Sequence, residues 1–295
     1  MKKFLSVILL LVFMMSIFTA CSDAAKDDSA QDSEINITVD SHYENIDESS
    51  VRAYEKLCTA VVNGDSEVKF NTSLLDDVNQ LFYTCFPLYP LVESIDLMGD
   101  STGVTITYKN TAEEHLELVN AFYDKVDEIM QACEYGKVST DRYIFNVYTY
   151  ITSNMQSDSS VVTAYDAIMQ GKGYSSAVCS AFEYLVLQGG GKASHVISAS
   201  DGQKIMSAAE FKNGWYYFDP AADIENNGGK ALTGFAMGSD RDGLGSFNYT
   251  DGEPVDIQGG ESFEKLAYSV SYTVDGDTVN VTCSDGQGEM ELSFE

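Results

Sequence analysis

The sequence predicts an α+β fold in which helices pack on an antiparallel sheet. Two kinds of apolar spacing support this prediction. Between residues 47 and 188, apolar residues recur every three or four positions, as in helices with one buried face. Later runs alternate apolar and polar residues, and the last of them are separated by the turn dipeptides Asp275-Gly276 and Asp285-Gly286. Such turns favour a small antiparallel β meander at the end of the chain.

The first twenty residues have the pattern of a lipoprotein signal peptide. Two lysines precede an apolar run over residues 4–18, and the small residue Ala20 precedes Cys21. The alternative to a lipoprotein signal is an ordinary signal peptide or a membrane anchor. The apolar run is short for a stable membrane span. We therefore expect cleavage before Cys21, lipid on that cysteine, and an extracytoplasmic protein attached to the cell membrane through the lipid.

Residues 21–36 are small, polar and acidic, which predicts a flexible tether. The formal charge of the chain is −29. This charge argues against nucleic acid as a partner, since phosphate binding depends on lysine and arginine. No spacing predicts a metal site or a cofactor. Five further cysteines are scattered and odd in number, so their pairing stays open: Cys58, Cys85, Cys133, Cys179 and Cys283.

Residues 37–136 are predicted to form a mixed α/β region that contains no chemical motif. The capping box at Thr111 and Glu114 indicates the start of a long helix that ends near Gly136. Shorter patterns predict the other elements of this region. They are a strand over 35–39, helices over 47–63 and 73–86, and strands over 91–98 and 104–108.

Residues 137–250 form the predicted core, and residues 251–295 supply the C-terminal strands. The core should contain helices over 141–153 and 164–172, and a third helix that follows a glycine-rich turn and starts near Ser175. Strands are expected over 193–199, 206–212 and 215–220.

The stretch from Gly171 to Leu185 resembles the nucleophile turn of the bacterial transglutaminase-like (papain-like) superfamily. The family pattern is Gly-Lys-small-Val-Cys-x-Gly-Tyr-Ala-x-Ala-Phe. Without a gap, matching positions are occupied by Gly171, Lys172, Ala181, Phe182, Tyr184 and Leu185. The run from Trp215 to Pro220 is similar to the Trp-Tyr-x-x-Asp-Pro strand of the family. The resemblance covers about residues 140 to 245 and implies a transglutaminase-like core.

The family uses a cysteine, a histidine and an aspartate, and the resemblance assigns their places to Ser175, Met206 and Asp219. The spacing to Trp215 leaves Lys204 or Ile205 as alternatives to Met206. A serine hydroxyl needs an adjacent base, and a thioether does not accept its proton at neutral pH. The site is therefore expected to be inactive.

An inactive domain would act as a binding or interaction module for a peptide, a protein or cell-wall material. Tyr174, Ser176 and Trp215 are expected to line its cleft. The rival interpretation is an active cysteine peptidase or transglutaminase-type amide transferase. Such an enzyme would use Cys179 or a displaced base at His195. The simpler interpretations are that Cys179 is a core cysteine and that His195 is a structural histidine. A solute-binding lipoprotein is a third interpretation, but its two similar lobes would require an internal duplication that the sequence lacks.

His42 and His115 are the remaining histidines of the chain. One follows the predicted tether and the other lies in the first turn of a charged helix. Both are expected to be exposed to solvent.

Overall fold

The computed structural model describes residues 36–200, 202–239, 241–242, 244–257, 263–284 and 286–294. The chain from Ile35–Glu295 forms one compact unit. The predicted signal peptide, the lipidation site Cys21 and the tether up to residue 35 lie outside the described residues. Within them, no helix has both the length and the apolar character that crossing a bilayer requires.

The prediction of an α+β fold is confirmed. Short 3-10 turns accompany the α-helices at Ser41–Asn45, Thr72–Leu74, Tyr89–Leu91 and Glu264–Tyr268. The described α-helices are α1 (Glu48–Asn63), α2 (Leu75–Cys85), α3 (Ala112–Ala132), α4 (Thr140–Asn154), α5 (Ala164–Gln170), α6 (Ser175–Gln188) and α7 (Pro220–Asn227).

The described strands form three antiparallel sheets and one short parallel pair. The first sheet has the order β1 (Glu67–Lys69), β3 (Gly103–Tyr108), β2 (Val92–Leu97), and the parallel pair is β4 (Gln156–Ser157) with β5 (Lys172–Gly173). The central sheet has the order β8 (Gly214–Phe218), β7 (Ile205–Phe211), β6 (Ala193–Ser198), β9 (Phe247–Tyr249). The last sheet is a meander of β10 (Ser269–Asp275), β11 (Thr278–Cys283) and β12 (Glu289–Ser293).

Local signals explain several boundaries. Gly64 ends α1 in the left-handed conformation, with φ of 72°. At the start of α3, Thr111 Oγ1 accepts the Glu114 N–H, and the Glu114 carboxylate accepts the Thr111 N–H. The capping box therefore forms as predicted, which fixes the entry into the longest described helix.

The main apolar core surrounds α6. Tyr148 and Phe218 both pack against Phe182 of this helix, and the Phe235 ring meets those two rings edge to face. Helices of the N-terminal region and Phe294 at the end of the meander belong to the same core. The boundaries at residues 136 and 250 thus stay predictions, because the three stretches share one core.

A smaller cluster covers the other face of the central sheet. Val196 and Met206 are cross-strand partners in it, as are Ala208 and Tyr217. Since side chains alternate along a strand, these residues point away from α6.

The structure corrects the predicted strand over residues 35–39. The described residues 36–40 are not in a sheet and lead into the 3-10 turn Ser41–Asn45. Their backbone is held by side chains instead, because the Gln188 amide bonds both the N–H and the carbonyl of Asn36. Sequence patterns also missed β1, β9 and α7, which are short.

Candidate functional site

Ser175 is the first residue of α6, as the resemblance implies. Tyr174 occupies the position before the helix, and its carbonyl accepts the Val178 N–H at 3.0 Å. Gly173 permits the tight entry, because a Cβ there would lie 3.1 Å from the Ala177 Cβ. Ser175 is thus beside the unpaired N–H groups at a helix start, where a nucleophile would be stabilised.

The hydroxyl of Ser175 and the thiol of Cys179 share one acceptor. Ser175 Oγ donates to the Ile205 carbonyl at 3.4 Å, and Cys179 Sγ donates to the same oxygen at 3.6 Å. Cys179 is fully buried, and burial raises the pKa of its thiol well above the ordinary value. Its thiol is therefore held in the protonated form, away from solvent.

Asp219 follows β8 and begins α7. Its Oδ1 accepts the Ala222 N–H at 3.0 Å, so the side chain caps that helix. Its Oδ2 lies 3.7 Å from Lys204 Nζ. Burial raises the pKa of the Asp219 carboxyl, and the Ala222 N–H and Lys204 oppose that shift.

The structure corrects the assignment of Met206 to the histidine position. Ser207 Oγ donates to the Cys179 carbonyl at 3.0 Å, so Ser207 faces α6 and Met206 faces the opposite side of the sheet. Met206 is fully buried in the smaller cluster. The two alternatives contact the other predicted site residues. The backbone carbonyl of Ile205 accepts the Ser175 hydroxyl, and the ammonium of Lys204 lies beside the Asp219 carboxylate.

All three histidines of the chain are engaged away from Ser175. His195 Nδ1 lies 3.4 Å from Ser180 Oγ and 3.5 Å from Glu183 Oε2, in the middle of α6. His42 Nε2 bonds Asp251 Oδ2 at 2.6 Å.

The expectation of an exposed His115 is wrong. This residue is completely buried, and its Nε2 lies 2.6 Å from the Val61 carbonyl at the end of α1. The Tyr108 ring packs on it with a centroid distance of 4.1 Å. The first turn of α3 therefore docks against α1 instead of facing water.

A pocket of about 190 Å³ opens beside Asp219. Two cationic side chains, Lys204 and Arg241, contribute to its wall. Burial lowers the pKa of the Arg241 guanidinium, and nearby acidic groups oppose that shift. The complete lining is Lys204, Asp219, Ala222, Thr233, Gly234, Met237, Arg241, Asp242 and Leu244. We call this pocket the Asp219 cleft.

The three residues predicted to line a cleft at Ser175 are not part of the Asp219 cleft, and their role stays a prediction. Tyr174 is 43% exposed at the helix start, Ser176 is partly buried, and Trp215 packs against the smaller cluster. Arg241 was missed, because the irregular segment around it gives no periodic signal. Only the fold brings that segment to the end of β8, through the bridge between Tyr217 and Met237.

One group of described residues has the donor types of a metal site. Ligand atoms of His42, Asp251 and Glu253 lie within 4.8 Å of one another. His42 Nε2 and Asp251 Oδ2 are already hydrogen-bonded at 2.6 Å, whereas two ligands of one small ion stand about 3 Å apart. We assign no metal to this group.

Ser175 offers a hydroxyl at a helix start, and no histidine among the described residues is bonded to it. No model of a protein family matches the chain, and no curated protein sequence matches it.

Proposed function

We propose that the chain is a lipid-anchored extracytoplasmic protein whose transglutaminase-like domain binds a ligand without catalysis. Support for such a core comes from α6 packed across the central sheet, with Ser175 at the helix start and Asp219 after β8. These are the places that the resemblance gives to the nucleophile and the aspartate. Support for the anchor is the pattern around Cys21.

The observation that carries the proposal is the absence of an imidazole from the Ser175 site. Each of the three histidines contacts other residues, and the buried thiol of Cys179 donates to the Ile205 carbonyl. Loss of both nucleophile and base removes the unit that acts together, which in serine proteases is worth ~10⁶ in turnover.

The Asp219 cleft favours a ligand that bears a carboxylate, such as the free C-terminus of a peptide. Lys204 and Arg241 stand at the cleft in a chain that has only 17 lysines and arginines against 46 acids. A guanidinium and an ammonium are the usual partners of a carboxylate, and Arg241 offers a fork of N–H donors.

The test is fluorescence anisotropy of labelled tripeptides with a free or an amidated C-terminus. The free peptides should bind the full-length protein, and the double variant Lys204→Ala, Arg241→Ala should weaken binding about tenfold or more. Lys230→Ala, which removes an exposed lysine outside the cleft, is the matched control. Equal binding of both peptide forms would contradict the carboxylate assignment.

An activity assay on the same preparations separates this proposal from a thiol enzyme. We expect no release of amine from amide substrates and no cross-linking. Turnover that disappears in Cys179→Ala would instead establish the cysteine peptidase or amide transferase.

The anchor is tested independently by mass spectrometry of the mature N-terminus. Cys21→Ala should release the protein from the membrane fraction, whereas a protein that stays bound would contradict lipid attachment.

A further inference from the structure

A second pocket, of about 80 Å³, lies beside the middle of α6. It shares no lining residue with the Asp219 cleft. Its walls come from the end of α2 and the turn that follows, the loop before α5, and α6. Aromatic rings form much of the lining, namely Tyr83, Phe86, Tyr89 and Tyr184. Glu183 supplies a carboxyl group and Ser180 a hydroxyl, and we call this space the Glu183 pocket.

The carboxyl of Glu183 belongs to a buried acid pair. The carboxyls of Glu183 and Asp40 are close enough for each to affect the pKa of the other, and the two residues are 4% and 3% exposed. Asp40 is fixed in turn by two backbone N–H groups, those of His42 and His195, each at 2.8 Å. Among the described residues, neither carboxyl pairs with a lysine or an arginine, and the nearest cationic candidate is the ring of His195.

Two adjacent carboxyls without a cation retain a proton at neutral pH. Burial and the mutual repulsion of the charges raise the pKa of Asp40 to about 7, and burial raises that of Glu183 to about 8. Burial also lowers the pKa of His195, so its ring does not supply the missing charge. The Glu183 pocket therefore ends at acid groups that a positive ligand would complement.

We propose that the Glu183 pocket binds a primary ammonium group, of the kind carried by a lysine side chain or a small alkylamine. The N–H groups would donate to Glu183 and Ser180, and the tyrosine rings would face the cation and its alkyl stem. A primary ammonium suits this site better than a quaternary one, because the space is small and its acceptors need N–H donors. The charge of −29 attracts cations towards the surface.

This proposal gives binding a definite pH dependence. The ammonium replaces the proton held by the acid pair, so affinity should rise about tenfold or more between about pH 6 and pH 8.5. The titratable groups that surround the pair or the rings of its pocket are Tyr43, Cys85 of α2, Tyr89, Asp166 of α5, Tyr184 of α6, His195 of β6 and Tyr249 of β9. Cys85 stays protonated, since burial raises the pKa of its thiol to about 12.

The test is calorimetric titration of the full-length protein with n-propylamine, using n-propanol as the neutral probe and tetramethylammonium as the quaternary one. We expect saturable binding of n-propylamine alone, with release of a proton seen as a dependence of the heat on the buffer. Glu183→Gln should weaken binding about tenfold or more. Glu117→Gln removes an exposed acid outside the pocket and should bind like the wild type.

A variant at the pocket wall keeps the test decisive if Glu183→Gln folds poorly. Tyr83 is 52% exposed, so Tyr83→Ala should fold normally and bind a few-fold more weakly, whereas Tyr83→Phe should bind like the wild type. Equal binding of n-propanol, no saturable binding of n-propylamine above about pH 8, or an equal loss in Glu117→Gln would overturn the proposal.

Discussion

The first turn and the middle of α6 present different side chains of the kinds that catalytic sites combine. At the first turn, Ser175 donates to the Ile205 carbonyl and no described histidine bonds it, and in the middle, His195 lies against Glu183 without an activated nucleophile. Ser180 and Glu183 both approach the same His195 nitrogen, so they do not form a relay through the ring. The comparison teaches that a hydroxyl at a helix start is not sufficient for nucleophilic catalysis, because the general base must lie beside the nucleophile.

The largest expected effect comes from supplying that base. Ser175→Cys with Ile205→His should give a thiol that iodoacetamide alkylates about 100-fold faster than Ser175→Cys alone at about pH 6, because an adjacent imidazolium and the helix start lower the thiol pKa. The matched control is Ser175→Cys with Met206→His, whose new ring would face the far side of the sheet. If the control reacts as fast, our assignment of the strand faces is wrong.

A smaller effect concerns the acid pair in the middle of α6. In the unfolded chain both carboxyls ionise near pH 4, whereas Asp40 and Glu183 keep their protons up to about pH 7 and 8 in the fold. The folded state therefore binds more protons across this window, and its stability falls as the pH rises through it.

Thermal unfolding measures this effect. Between about pH 5.5 and pH 8.5 the Tm of the wild type should decrease by about 10 °C or more because of the pair, and Glu183→Gln should remove much of the decrease. An unchanged pH profile in the variant would show that the pair does not titrate in this range.

Particular residues show what the sequence could and could not predict. The start of α6, the capping box at Thr111 and the β meander follow from local patterns, and the structure contains them. Met206 was misplaced because a shift of one residue along a strand turns a side chain to the other face. The pairing of Asp40 with Glu183 joins two distant parts of the chain, and no periodicity indicates which buried acids will meet.

The role of Asp219 sets the next prediction. Because its side chain caps α7, Asp219→Ala should reduce the free energy of unfolding by about 1 kcal/mol. Asp219→Ser and Asp219→Asn can still cap the helix, so they should lose much less stability. Urea denaturation of the three variants measures the differences. If Asp219→Asn is as unstable as Asp219→Ala, the carboxyl charge matters more than the cap.

The smallest effect is expected for Lys204, whose ammonium lies 3.7 Å from Asp219 and whose side chain is 47% exposed. Water screens such a pair, so Lys204→Ala should change the free energy of unfolding by about 0.5 kcal/mol or less, although it is expected to weaken binding in the Asp219 cleft. Urea denaturation at low and high salt checks the first part, and the anisotropy titration checks the second. A loss of stability above about 1 kcal/mol would make Lys204 a structural partner of Asp219. Because stability and binding respond separately, the pair of measurements distinguishes a lysine that maintains the fold from one that faces a ligand.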